Sequence, residues 1–161
     1  MALKKKLAVA GATGFIGRWF IETYKDKYDI IALSRKKVTP TPNSDIEWRM
    51  VDLFSISSSV NALQGVDYAL YLVHSMQPST RLNQSNFEDT DLLLADNFSR
   101  AAQACNLKQI IYVGGILPKD DHTISKHLKS RYEVEKTLGS RNTPLTSIRA
   151  GIIIGPNGSS F

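Results

Sequence analysis

Short apolar runs alternate with amphipathic stretches along this chain. Lys6 to Ala10 is a run ended by glycines, the pattern of a strand buried on both faces rather than of a helix. From Phe15 to about Lys25, the residues Phe15, Ile16, Trp19, Phe20 and Thr23 recur at helical spacing while Glu22 faces the other way. That predicts a first helix packing on this apolar side. Asp29 to Leu33 reads as a second strand and Glu47 to Val51 as a third. Between them Thr39-Pro40-Thr41-Pro42-Asn43 makes an extended turn, because proline fixes its own φ and restricts its predecessor.

The serines between Ser55 and Ser59 cap a short helix that runs to Leu63 and stops before Gly65. Val66 to Val73 gives a fourth strand. The longest helical stretch runs from about Phe87 to Ala104, with Leu93, Leu94, Phe98, Ala101 and Ala102 on its apolar side. Leu107 to Val113 is a fifth strand. A polar loop, Lys119-Asp120-Asp121-His122, precedes a helix from about Ser125 to Leu138, and Leu145 to Ala150 is a sixth strand. Alternation of strands with helices along the chain predicts an α/β fold: a doubly wound parallel sheet with right-handed crossovers. At 161 residues and 42% hydrophobic content, the chain fits a single domain, residues 1–161, with a substantial core.

Composition narrows the function classes. The net charge of +5 is dispersed over Lys4-Lys5-Lys6, Arg35-Lys36-Lys37 and the stretch from Lys126 to Arg131. No long basic run marks a nucleic-acid arm, so phosphorylated small molecules are the expected anions. A basic surface also suits RNA or an anionic membrane, but that reading rests on charge alone; neither nucleic acid nor membrane is the expected partner. The single cysteine, Cys105, lies in an apolar helical stretch, where a buried structural thiol in a reducing compartment is expected. The apolar run Leu7-Ala8-Val9-Ala10 is cut by a glycine turn far short of a signal peptide or a membrane span, so the expected location is cytoplasmic. No metal site is assigned.

The chemistry concentrates in Gly11-Ala12-Thr13-Gly14-Phe15-Ile16-Gly17, between the first strand and the first helix. A glycine match alone is weak, but one that opens a strand-helix-strand unit is specific. Gly11 allows the tight turn, Gly14 lets backbone approach a pyrophosphate, and Gly17 permits close helix–strand packing. Free amides and the dipole at the helix start attract the phosphates, with Thr13, Phe15 and Ile16 beside them.

The stretch from Val9 to Gly17 resembles the extended and atypical short-chain dehydrogenase/reductase superfamily. Other segments agree in order: Val51-Asp52-Leu53 after strand three, Tyr71-Leu72-Val73-His74-Ser75-Met76 ending strand four, Ile110 to Gly115 ending strand five, and Arg149-Ala150-Gly151-Ile152-Ile153-Ile154-Gly155-Pro156. The resemblance spans essentially the whole chain and is nearest to NmrA-like or nucleoside-diphosphate-sugar-epimerase-like members, several known only as NAD(P)-binding. It implies a Rossmann fold in three α/β/α layers, with Asp52 and Leu53 against the adenine. It also implies that Val73, His74, Ser75 and Gly114, with Ala150, Gly151 and Ile152, lie along the nicotinamide half. Members of that kind continue past the Gly-Pro segment into a region that closes over substrate. This chain ends at Phe161, so an N-terminal portion without that region is expected.

Cofactor choice is read at the end of strand two, where an acid accepts from a ribose 2′-hydroxyl and an arginine pairs with a 2′-phosphate. Here the residues are Ser34-Arg35-Lys36-Lys37. NADP(H) is therefore favoured, with NAD(H) as the alternative. The resemblance also implies a Tyr-x-x-x-Lys pair on the helix after strand five, and two registers are open. Tyr132 and Lys136 match literally. His127 and Arg131, in His127-Leu128-Lys129-Ser130-Arg131 followed by Glu135, fit the longer Tyr-x-x-Ser-Lys pattern better and are preferred. In that register histidine replaces tyrosine, and arginine, always protonated, replaces lysine. The usual serine ending strand five is replaced by glycine, and His74 and Ser75 are partial substitutes. Two functions compete. One is hydride transfer on an unidentified carbonyl, sugar-nucleotide or quinone substrate, and the other is a non-catalytic redox sensor or partner-binding module. A homodimer is compatible with either.

Overall fold

The structure of the chain is a computed structural model that describes residues 4–40, 44–74, 84–118 and 124–156. Ser75 and Met76, the turn residues Thr41, Pro42 and Asn43, the loop from Lys119 to His122, and residues 157–161 lie outside the described residues. The elements are β1 (Lys6–Ala10), α1 (Phe15–Tyr24), β2 (Asp29–Ser34), β3 (Glu47–Met50), α2 (Ile56–Leu63), β4 (Tyr68–Tyr71), α3 (Gln84–Ala104), β5 (Gln109–Gly115), α4 (Lys126–Leu138) and β6 (Leu145–Ala150). Every strand pair is parallel, and the sheet order is β3-β2-β1-β4-β5-β6. The order reverses between β1 and β4, and the carboxyl ends of these strands open a crevice there, the place where this class of sheet binds ligands.

Residues alternate between two cores because successive side chains on a strand point to opposite faces. Ala8 and Ala10 of β1, Ile31 and Leu33 of β2, Ala69 and Tyr71 of β4, and Ile110 of β5 join Leu63, Phe98 and Leu138 from α2, α3 and α4. Val9, Ile30, Ala32 and Leu70 join Ile21 of α1 on the opposite face. This two-sided burial is why the strands read as nearly continuous apolar runs. Tyr71 and Phe98 meet edge to face, ring centroids 4.9 Å apart, at the centre of the larger core.

Two element faces differ from expectation. On α1 the buried residues are Gly17 and Ile21, whereas Trp19 is 54% exposed and Thr23 turns its hydroxyl back to the Trp19 carbonyl. The close seat of Gly17 on the β1 turn sets the rotation of the helix, and bulk hydrophobicity does not. On α3 the stripe Leu94, Ala95, Phe98, Ala101 and Ala102 is buried, while Leu93 is 47% exposed. Asp91, a turn before that stripe, is buried with it. Strand boundaries also move, with β4 ending at Tyr71 and β5 running on to Gly115. β4 begins only at Tyr68, because the Val66 amide is still bonded to the Leu63 carbonyl in the turn after α2. β5 begins at Gln109, because the Leu107 amide closes the end of α3 on the Ala102 carbonyl, with Asn106 at φ 54°.

The buried stripe gives a direct test. Phe98→Ala should cost about 3–5 kcal/mol in urea unfolding, the usual loss for an emptied aromatic site in a core. Trp19→Ser should stay within about 0.5 kcal/mol, as for an exposed side chain; equal losses at the two positions would contradict the assigned faces.

Candidate functional site

The loop after β1 is built around backbone contact. Gly11 has φ +89°, and a Cβ there would lie 3.0 Å from the Leu72 carbonyl group. A Cβ on Gly17 would sit 2.3 Å from the Gly11 oxygen, so only glycine lets α1 start this close to β1. Gly14 is the residue before the helix, in extended conformation, and supplies no side-chain cap. The first-turn amides, which an α-helix leaves without internal partners, therefore open on a cleft of about 710 Å³ lined by Gly14, Phe15, Ile16 and Gly17. Such amides, aligned with the positive end of the helix dipole, suit a pyrophosphate. At Gly14 an added Cβ would meet only the Gly11 oxygen, at 3.2 Å, so the approach to those amides is open. The residues present fit a dinucleotide.

The rest of the cleft comes from the ends of β4, β5, α4 and β6. Leu72, His74, Val113, Gly114, Gly115 and Ile116 line one side, and His127, Leu128, Arg131, Ala150, Gly151 and Ile152 another. Gly155 rests on the Phe15 ring, 2.7 Å from where a Cβ would be, which folds the Gly-Pro segment over the start of α1.

Position within α4 decides which side chains reach the cleft. Ser130, Val134 and Leu138 form its buried seam. His127 and Arg131 flank that seam toward the cleft. Tyr132 is not among the lining residues: the Lys136 ammonium lies over its ring at 4.7 Å and the Arg149 guanidinium at 5.8 Å. Arg131 donates to the Val113 carbonyl at 3.1 Å, and the Tyr112 hydroxyl donates to the Arg131 carbonyl at 3.2 Å, so strand five holds this turn of α4 from two directions.

His74 faces His127 with ring centroids 5.1 Å apart. Its Nδ1 is 3.0 Å from the Asp91 carboxylate, and its Nε2 is buried with no hydrogen-bond partner among the described residues. Burial, then His74 and Arg131, hold the His127 imidazole below its ordinary value. Asp91 had escaped sequence reasoning. The available signal was its place one turn before Leu94 and Ala95 on the buried stripe, where a carboxylate needs a partner.

The remaining candidate residues lie apart from this cluster. Ser34 ends β2 and Arg35 and Lys36 follow it; Arg35 and Lys36 are exposed, and the Ser34 hydroxyl accepts from the Lys36 amide. Arg35 forms no ion pair among the described residues. Asp52 is exposed and accepts from the Phe54 amide at 3.0 Å, which shapes the entry to α2, while Leu53 is buried and its carbonyl accepts from Asn97. Thr13 is exposed in the glycine loop, and Val73 is half-buried against the larger core. Among the described residues no cluster of three or more metal-ligating side chains forms, and no helix is long and apolar enough to cross a membrane.

Sheet order, glycine loop and cleft define a Rossmann-type nucleotide-binding fold. Residues 7–143 match the NAD dependent epimerase/dehydratase family, and the chain belongs to that family. The auxiliary protein GraX of Staphylococcus aureus is 30% identical over 149 residues, covering 89% of this chain and 43% of that protein. The UDP-N-acetylglucosamine 4-epimerase of Bacillus cereus shares the fold at a TM-score of 0.73 and 24% identity, over 98% of this chain and 62% of that one. The Bordetella bronchiseptica enzyme WbmH, solved with NAD+, does so at a TM-score of 0.77 and 16% identity, over 98% and 60% of the two chains. The chain thus spans less than half of the curated relative and under two thirds of these structures.

The depressed pKa of His127 has a consequence for stability. The ring takes a proton less readily when folded than when unfolded, so its contribution is complete above the ordinary pH 6.5 and is lost as pH falls through that value toward the folded pKa. Thermal unfolding followed by circular dichroism should show Tm falling below about pH 6.5, with a shallower fall in His127→Gln. Superimposable profiles for the two proteins would remove His127 from the cleft environment described.

Proposed function

We propose that this chain binds a nicotinamide dinucleotide in the cleft, NADP(H) in preference to NAD(H), and that its chemistry is hydride transfer with a carbonyl, sugar-nucleotide or quinone substrate. The observation that carries the reading is the uncapped start of α1, seated on Gly11 through Gly17 and opening into the same cleft as His74, His127 and Arg131. When bound, the cofactor would supply the hydride. Phe15, Ile16 and Gly17 would hold the pyrophosphate through backbone amides. The preference for a 2′-phosphate rests on Arg35 and Lys36, exposed after β2 with no acid at that strand end. Asp52 and Leu53 would border the adenine, and Ala150, Gly151 and Ile152 the nicotinamide.

Arg131, held to the Val113 carbonyl, keeps donors for ribose hydroxyls but cannot pass on a proton. Proton exchange with a substrate oxygen would fall to an imidazole. On this reading residues 1–161 act as the cofactor-binding portion of an oxidoreductase or epimerase-like protein in the cytoplasm. A second reading, a non-catalytic redox sensor or partner-binding module, is favoured by one observation: among the described residues no tyrosine–lysine pair lines the cleft. The name of GraX, an auxiliary protein, is consistent with it.

Titration with NADPH and NADH separates these readings. Saturable binding is expected, tighter for NADPH. Arg35→Ala should weaken NADPH about tenfold, as for loss of one exposed charge-assisted contact, and leave NADH nearly unchanged. Absence of saturable binding by either cofactor overturns the reading, and tighter NADH binding removes the role of Arg35. Steady NADPH oxidation with a quinone or sugar-nucleotide panel, abolished in His127→Ala, supports the enzyme; binding of both redox forms without turnover supports the sensor. Loss of turnover confined to Tyr132→Phe would reverse the choice of register.

A further inference from the structure

His74 and His127 come from different ends of the chain's topology, the first from the end of β4 and the second from the first turn of α4, yet their rings meet at 5.1 Å with planes 57° apart. Two imidazolium ions at that distance repel, so protonation of one ring opposes protonation of the other. The groups facing the pair set which ring takes the proton. Arg131 stands on the His127 side, on the same helix, and both it and burial disfavour a charged His127. Asp91, buried on α3, meets His74 at Nδ1, 3.0 Å away. The Tyr112 hydroxyl from β5 is committed to the Arg131 carbonyl, and Tyr71 of β4 is buried beneath.

A carboxylate accepts but does not donate, so neutral His74 keeps its proton on Nδ1 and leaves Nε2 as a bare lone pair. That Nε2 is a buried polar atom with no partner among the described residues, on a ring that lines the cleft. Buried polar atoms are nearly always satisfied, and one without a partner beside a cleft calls for an explanation such as a catalytic role.

We propose that Asp91, His74 and His127 form one proton-exchange unit, in which the two rings carry at most one positive charge between them and His74 Nε2 is the atom that exchanges the extra proton with the substrate oxygen. Asp91 is a positioning residue that fixes the tautomer. This rests on the reading of the cleft as a nicotinamide dinucleotide site. When bound, the reduced cofactor would supply a hydride to a carbonyl carbon, the C=O π pair would move to oxygen, and that oxygen would take the proton from His74 Nε2. The balance would be an alcohol, the oxidised cofactor and neutral His74 with its remaining proton on Nδ1, to which solvent would return the second.

Two measurements on the whole chain test the unit without a substrate. Imidazole ¹H–¹⁵N spectra, assigned by single substitution, should show neutral His74 protonated on Nδ1. Asp91→Asn should add the Nε2–H form, because an amide can face the ring with either its oxygen or its NH₂ group. The titration of His127 should move upward in His74→Asn. Where Asp91→Asn does not fold, the wild-type spectrum alone decides the tautomer, and an Nε2–H form there overturns the proposal.

The second measurement is the pH dependence of NADP+ and NADPH affinity. The oxidised nicotinamide is a cation and displaces the shared proton, so NADP+ affinity should rise with pH relative to NADPH, by at most about tenfold per pH unit. The 2′-phosphate titrates alike in both and cancels. The difference should vanish in His74→Asn. Binding of both forms with no such difference overturns the proton-exchange unit while sparing the dinucleotide site. Failure of both to bind overturns the dinucleotide site and, with it, the assignment of His74 as the group serving it.

Discussion

The contact on which the cleft depends is the one between Gly17 and the carbonyl of Gly11. No side chain fits between them, since a Cβ at Gly17 would lie 2.3 Å from that oxygen. The first turn of α1 is therefore pressed against the end of β1, and the helix axis is aimed at the crevice where the sheet order reverses. Gly11 repeats the constraint on its other side, where its φ is +89° and an added Cβ would lie 3.0 Å from the Leu72 carbonyl, so that the end of β4 runs alongside. Two glycines thus place both the uncapped first-turn amides of α1 and the strand end that carries His74.

The same contact explains where sequence reasoning succeeded and where it failed. Strands were legible because burial on both faces writes itself as apolar runs, and β1 and β6 fall where the pattern put them. The face of α1 was not legible from hydrophobicity. A periodic count favours Trp19 because it is large, whereas packing selected Gly17 because it is small, and Ile21 one turn on. On α3, Leu93 counted as apolar and Asp91 as polar, yet helix packing exposed the first and buried the second. A buried carboxylate is stabilised by a partner brought from elsewhere in the fold, here His74 at a separation of 17 residues. Periodicity carries no information about such a pairing.

The two registers on α4 show how local pattern and fold differ. Tyr132 and Lys136 are four residues apart and do share a face. That face carries an ammonium and the Arg149 guanidinium against the phenol ring, and Arg149 is in turn paired with Glu135 at 2.8 Å. The seam of Ser130, Val134 and Leu138 seats the helix on the core and so sends His127 and Arg131 to the cleft. A four-residue spacing identifies a face, but only the buried seam identifies which face meets the sheet.

That arrangement also divides the labour of charge. Arg131 is tethered to a backbone carbonyl, no carboxylate pairs with it among the described residues, and its permanent positive charge lines the cleft. Its nearest titratable neighbour, His127, is thereby held toward the neutral form. The carboxylate that would favour an imidazolium lies instead across the cleft, buried against His74. A fixed cation on one wall and a buried anion behind the other set up a gradient across 5.1 Å between the two rings.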